Sequence, residues 1–190
     1  MNLYLETSKY IDWDTLIVLE KAKELATDSS SQETIVRNCF EFVRDEIQHS
    51  MDFQLNPVTC KASDVLLHGT GFCYAKSHLL AALLRASNIP AGLCYQRLTI
   101  TDDTASFCLH GLNAVFLEEH GWYRMDARGN KAGVSAAFMP PHEQLAFPIQ
   151  VKGEADFPEI WHEPLPCVVQ VLEASKTYQD VVDNLPDLAR

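Results

Sequence analysis

Residues 69–96 read GTGFCYAKSHLLAALLRASNIPAGLCYQ, and the reading of the fold turns on them. From Cys73 to about Ala86 the run is apolar on nearly every side, interrupted mainly by Lys76, His78 and Arg85. A surface helix carries one apolar stripe, whereas a helix that is apolar all round must be enclosed by the rest of the chain. The pattern predicts a buried central helix. Gly69-Thr70-Gly71 permits a sharp turn into its first residue and the close approach of a second backbone. Asn88-Ile89-Pro90 ends it, because proline has no N–H to continue the helical ladder.

On the N-terminal side two amphipathic helices are expected to pack against this axis. Asp12 is read as the cap of the first, in which Ile17, Val18, Ala22, Leu25 and Ala26 recur at helical spacing until Thr27-Asp28-Ser29-Ser30-Ser31 breaks it. Ser30 and Glu33 have the spacing of a capping box ahead of a second stripe, Ile35, Val36, Cys39, Phe40, Val43 and Ile47. After an irregular stretch, Ser63 is read as the cap of a short helix that Gly69 stops.

On the C-terminal side the period changes. AGLCYQRLTI (91–100), HGLNAVFLEE (110–119) and GWYRMDA (121–127) are short β-prone runs, the last two joined through a turn at His120-Gly121, so an antiparallel sheet is expected. Seven of the nine prolines fall from Pro140 onward, which predicts an extended wrapping segment over 139–190, with a short helix from Ala174 to Val182. The expectation is one α+β domain over 1–190: helices in 1–88, sheet in 90–127, and the central helix packed on the sheet.

Composition narrows the function. A formal charge of -11 would repel a phosphate backbone, so no nucleic-acid partner is expected. MNLYLETSKY has neither the basic nor the apolar region of an export signal, and Leu16-Ile17-Val18-Leu19 is too short to cross a bilayer, so a cytoplasmic chain with no membrane partner is expected. In that compartment most of the six cysteines should be free, with Cys39, Cys94, Cys108 and Cys167 acting as small hydrophobes in apolar surroundings. There is no C-x-x-C or H-x-x-x-H spacing, so no metal site is expected, and no cofactor.

Cys73 stands apart because it begins a helix. Unpaired N–H groups and the positive end of the macrodipole there stabilise a thiolate, and the Cys73 amide can donate to a developing oxyanion. A thiol with a pKa of about 8.5 still needs a base at neutral pH, and histidine is suited to that range. His110, read as opening the second strand, and Asp126, read as ending the third, lie at the open end of the expected hairpin. A carboxylate placed there would fix the imidazole tautomer. Folding the ladder symmetrically about Glu119 to Gly121 leaves the two residues three or four positions out of step, on the order of 10 Å at strand rise. A bulge, a strand bend or a looser turn would have to close that gap.

The 69–96 stretch, followed by LHGLNAVFL and GWYRMDARGN, resembles the transglutaminase-like cysteine enzyme superfamily over roughly residues 35 to 130. The shared features are a glycine-led cysteine, an apolar helix ending in Arg-Ala-x-x-Ile-Pro-Ala, a strand histidine, then Trp-x-x-x-Asp. The resemblance implies a papain-like core in permuted form, with Cys73 as nucleophile, His110 as base and Asp126 as its orienting carboxylate. Many members have His-Ala-Trp at the histidine, whereas this chain has His110-Gly111-Leu112. The match does not identify a second oxyanion donor, for which Gln48, His49 and Gln96 are candidates on polarity alone.

The remaining histidines, His49, His68, His78, His120, His142 and His162, have no partner spacing and are assigned to caps, turns or surface, and Trp122 and Tyr123 to the core. Arg128, Asn130 and Lys131 follow Asp126 in a loop, where a surface role beside a neighbouring acid competes with a substrate contact. Three functions are weighed: hydrolysis of a peptide, protein or small amide through a thioester; transglutaminase or deamidase action on glutamine side chains; and a silent binding module. Hydrolysis is the leading expectation.

Overall fold

The structure, a computed structural model, describes residues 1–27, 31–100 and 106–189. After a 3-10 turn at Asn2–Leu5, α1 (Leu16–Ala26) and α2 (Gln32–Glu46) lead into β1 (Gln48–His49), α3 (Ser50–Phe53) and α4 (Ala62–His68). β2 (Thr70–Gly71) turns the chain into α5 (Cys73–Ala86), and β3 (Ala91–Thr99), β4 (Phe107–Leu117) and β5 (Gly121–Met125) follow. The rest comprises β6 (Ala137–Met139), β7 (His142–Gln144), β8 (Ala155–Asp156), α6 (Pro166–Ala174) and α7 (Tyr178–Asp183).

α5 is enclosed as its composition requires: every residue from Cys73 to Arg85 is buried. Its leucines Leu79, Leu80, Leu83 and Leu84 are fully sealed from solvent, each contributing about 1.5–3 kcal/mol of transfer free energy. α1, α2 and α4 cover one side, and a four-stranded antiparallel sheet in the order β5-β4-β3-β8 covers the other. Strand alternation sorts the side chains: Leu93, Tyr95, Leu109, Val115, Leu117, Tyr123 and Met125 join the α5 core, while Cys94, Leu112 and Ala114 form a second cluster on the opposite face.

The three polar breaks in the helix each reach a main-chain carbonyl, as buried polar groups must. Lys76 Nζ donates to Ile47 O, and His78 Nδ1 meets Cys60 O at 2.7 Å. Arg85 donates to the carbonyls of Ala91 (3.0 Å), Glu6 (2.8 Å) and His162 (2.7 Å), tying the sheet and both outer segments to the end of α5. His78 is therefore a core residue, not a cap or surface group.

Several local expectations are corrected. α1 begins at Leu16 with Thr15 at its N-cap, and Asp12 instead serves α4: its carboxylate accepts from the backbone N–H and the hydroxyl of Ser63. Ser63 is thus the recipient of a cap supplied from 51 residues away. The expected cap Ser30 lies outside the described residues; the N-cap of α2 is Ser31, whose side chain accepts from Thr34 N. β4 starts at Phe107, so His110 lies inside the strand, while Asp126 falls one residue past β5. The wrapping segment holds more regular structure than its prolines suggest. Pro166 occupies the first turn of α6, where a missing N–H costs nothing, and α7 begins at Tyr178 on a Thr177/Asp180 capping box. β8 adds an unforeseen strand against Gln96 and Arg97.

Removing the distant cap leaves Ser63 N–H without its partner at a helix start. Asp12→Ala is expected to lower stability by about 1 kcal/mol in urea unfolding, and Asp12→Asn, which keeps an acceptor, by clearly less.

Candidate active site

The hairpin resolves the register problem without a bulge. β4 and β5 pair from Leu117↔Gly121 to Asn113↔Met125, closing on three residues, Glu118 to His120. Continuing that ladder by one residue sets Asp126 opposite Leu112, two residues from His110 on the same face, a separation of about 7 Å along the strand that two side chains span. His110 Nε2 meets Asp126 Oδ2 at 2.7 Å.

Asp126 is completely buried and fully hydrogen-bonded. Oδ2 also accepts from Ala146 N (3.1 Å) and Oδ1 from Arg128 N (3.1 Å). Burial alone would favour its neutral form, but His110 and these two amides outweigh that and hold the carboxyl below its usual range. For His110 burial disfavours the charged ring. The Asp126 carboxylate and the Cys73 sulfur, which is also its hydrogen-bond partner, more than reverse this and raise it to about 10.

Cys73 reaches that ring because β5 stops at Met125 and leaves the edge of β4 free below Asn113. The start of α5 docks there. Gly111 N–H points to Cys73 Sγ at 3.5 Å, and Tyr74 Oη donates to Leu109 O. A Cβ at position 111 would come within 3.0 Å of Tyr74 Cα and 3.2 Å of Tyr74 N, so the His-Gly pair in place of His-Ala gives the helix room to sit against the strand. The structure brings Cys73, His110 and Asp126 into one cluster.

The cluster opens into a cleft of about 530 Å³ whose walls include Phe72, Leu98, Phe147, Leu185, His49 and Arg128. The Phe147 ring stands edge-on to His110 at 5.0 Å between centroids, supplying an aromatic wall from a loop far away in sequence. Nothing in the composition around position 147 signals that role. Arg128 is buried: it pairs with Asp52 through contacts of 2.6 and 3.0 Å while its backbone N–H holds Asp126. Lys131 adds a third contact to Asp52 at 2.7 Å, and against the cost of burial Arg128 and Lys131 hold that carboxyl down at about 2. In the loop after Asp126, Arg128 and Lys131 thus neutralise a neighbouring acid, and Asn130 bonds Ala136 through both its amide atoms. Beneath the site, burial pulls the Lys76 ammonium down to about 7.

A cysteine at the start of a buried helix, set beside a histidine and a carboxylate on an antiparallel sheet, is the core arrangement of papain-like folds. The profile of the transglutaminase-like superfamily matches residues 20–127, and the chain belongs to that superfamily. Its fold is similar to that of a protein described as a candidate cysteine protease from Cytophaga hutchinsonii (TM-score 0.51, 23% identity, covering 66% of this chain and 40% of that one). It is also similar to the periplasmic domain of TgpA from Pseudomonas aeruginosa (TM-score 0.50, 17% identity, covering 65% of this chain and 45% of that one). The chain spans less than half the length of either neighbour. No curated protein matches it.

The two displaced pKa values set opposite pH slopes. His110 binds its proton more tightly folded than unfolded, so its contribution to stability is complete below about 6.5 and is lost as pH rises toward 10. Lys76 binds its proton less tightly when folded, so stability is gained as pH rises from about 7 toward 10.5. In the parent chain the two slopes oppose each other. Urea unfolding at pH 7, 8 and 9 should show Lys76→Met losing stability with pH more steeply than the parent, and His110→Gln gaining relative to it. Identical slopes in all three proteins would contradict these assignments.

Proposed function

We propose that the chain is a cysteine-dependent amide hydrolase in which Cys73 is the nucleophile, His110 the general acid and base, and Asp126 the carboxylate that orients the imidazole. The observation that carries this reading is the 2.7 Å His110–Asp126 contact beside Cys73 at the start of α5, at the foot of an open cleft. Membership of the superfamily supports a cysteine-dependent hydrolase or transferase.

Asp126 bonds Nε2, so Nδ1 is the nitrogen that serves the sulfur. The thiolate attacks an amide carbonyl, and main-chain N–H groups at the helix start stabilise the oxyanion. The proton held by His110 passes to the departing amine, leaving a thioester on Cys73. Water then gives its proton to His110 and attacks the thioester, releasing the acid and restoring the pair. Each step uses groups of the chain itself and water. Substrates are peptides, proteins or small amides, and the setting is cytoplasmic, a placement to which the six free thiols are suited. Among the described residues no helix is long and apolar enough to cross a membrane.

The test is mass-spectrometric capture of a Cys73 acyl adduct from a panel of peptides and small amides, with turnover followed in parallel. Cys73→Ala is expected to abolish both, and Asp126→Asn to lower turnover by roughly 10²- to 10⁴-fold. A labelled primary amine offered with a glutamine peptide should remain unincorporated. Amine incorporation without cleavage would replace the hydrolase assignment with amine transfer.

A further inference from the structure

Among the polar side chains that line the cleft, His49 has no part in acyl transfer by the triad. His49 lies on β1, which is fastened to the Gly-Thr-Gly turn ahead of Cys73: His49 pairs with Gly71, Gln48 N donates to Gly69 O at 2.9 Å, Thr70 Oγ1 donates to Gln48 O at 3.0 Å, and Ser50 Oγ meets Thr70 Oγ1 at 3.0 Å. Its ring packs edge-on against Phe72, the residue before Cys73, at 5.8 Å. His49 is thereby fixed relative to the sulfur by backbone pairing, and it lines the same cleft as Cys73 and His110. It is neither a turn residue nor a surface one: only 6% of it is exposed.

Within that burial its Nδ1 has no hydrogen-bond partner, and the nearest carboxylate oxygen, Asp52 Oδ2, is 3.8 Å away, beyond hydrogen-bond reach. An unpaired buried ring nitrogen is costly, and a solvated residue at this position would avoid that cost. Gln150 also lines the cleft but is exposed, Thr99 is bonded to Glu154, and the remaining polar candidates are committed or lie elsewhere. Gln48 points to solvent, and Gln96 spends its amide on Asp156 Oδ1 (2.9 Å) and Phe147 O (3.2 Å); neither lines the cleft. The Tyr74 hydroxyl is taken by Leu109 O.

We propose that His49 supplies the side-chain half of the oxyanion hole, donating its Nε2–H to the carbonyl oxygen of the substrate opposite the main-chain N–H groups at the start of α5. Burial, with Arg128, Lys76 and His110 nearby, pushes His49 well below the usual histidine range, so the ring is neutral and carries a single N–H. Nδ1 is the enclosed nitrogen, and in this assignment the single proton is carried on Nε2. No bond to His49 forms or breaks in the reaction; it is a fixed dipole aimed at charge that develops on oxygen.

This assignment rests on the acyl-transfer reading, and the experiment separates the two. p-Nitrophenyl acetate acylates a thiolate through a tetrahedral oxyanion, whereas iodoacetamide alkylates it by displacement of iodide with no oxyanion. In His49→Ala the acylation burst is expected to slow by roughly 10²-fold while alkylation of Cys73 stays within about twofold of the parent. His49→Gln, which retains a side-chain N–H donor, should recover most of the loss. Unchanged acylation in His49→Ala, or alkylation that falls in step with acylation, would overturn the assignment and leave the acyl-transfer reading intact. A parent chain whose Cys73 alkylates but accepts no acyl group would overturn both.

Discussion

The site depends on a helix end fitted to a strand edge. β5 is shorter than β4, so the main-chain groups of β4 below Asn113 have no ladder partner on that side, and a bare edge is costly when buried. The start of α5 meets part of the need with the Tyr74 hydroxyl and the Cys73 sulfur. That contact is possible only because position 111 has no side chain. One glycine therefore sets the distance between the sulfur-bearing helix and the strand that carries the imidazole, and the hydrogen-bond register of the hairpin sets the distance from imidazole to carboxylate.

The rest of the molecule keeps that junction rigid. A helix with apolar surface on all sides could rotate or slide within its sheath, since hydrophobic contact has no direction. Lys76, His78 and Arg85 remove that freedom by reaching carbonyls on different segments. The cost is greatest at Lys76, whose ammonium is held in a place that disfavours its charge. The gain is a Cys73 sulfur whose position is fixed from both ends of the helix that carries it. Asp52 and Arg128 do the same for the loop after Asp126, where a partly buried ion pair holds the residue whose amide bonds the Asp126 carboxylate.

Much of this is legible in the sequence because it obeys local rules. The buried helix, the second amphipathic stripe, the three consecutive strands and the ordered Cys73, His110 and Asp126 all announce themselves through period and spacing. Register does not: the true turn centre lies one residue before His120, and each residue of shift in a turn centre displaces paired positions by two. Asp12 misleads for a related reason, since a cap is recognised by the residues just after it in the chain, and here the recipient is 51 residues away. Pro166 looks like a breaker, although the first turn of a helix is where proline is harmless. His49 and Phe147 are beyond the reach of sequence patterns, because each gains its place through pairing or loop packing that no short motif records.

The free edge of β4 has one further donor to satisfy, Leu109 N–H, and the tail of the chain does so. Pro186 O accepts that bond at 2.7 Å, and the adjacent Asp187 clamps Arg97 on β3 through two contacts of 2.6 and 2.7 Å. Pro186 itself has no N–H to offer an incoming strand. With this segment displaced, an unsatisfied donor beside the cleft would face solvent, and two molecules could join margin to margin. The C-terminal segment thus closes a sheet margin that would otherwise be open to another strand.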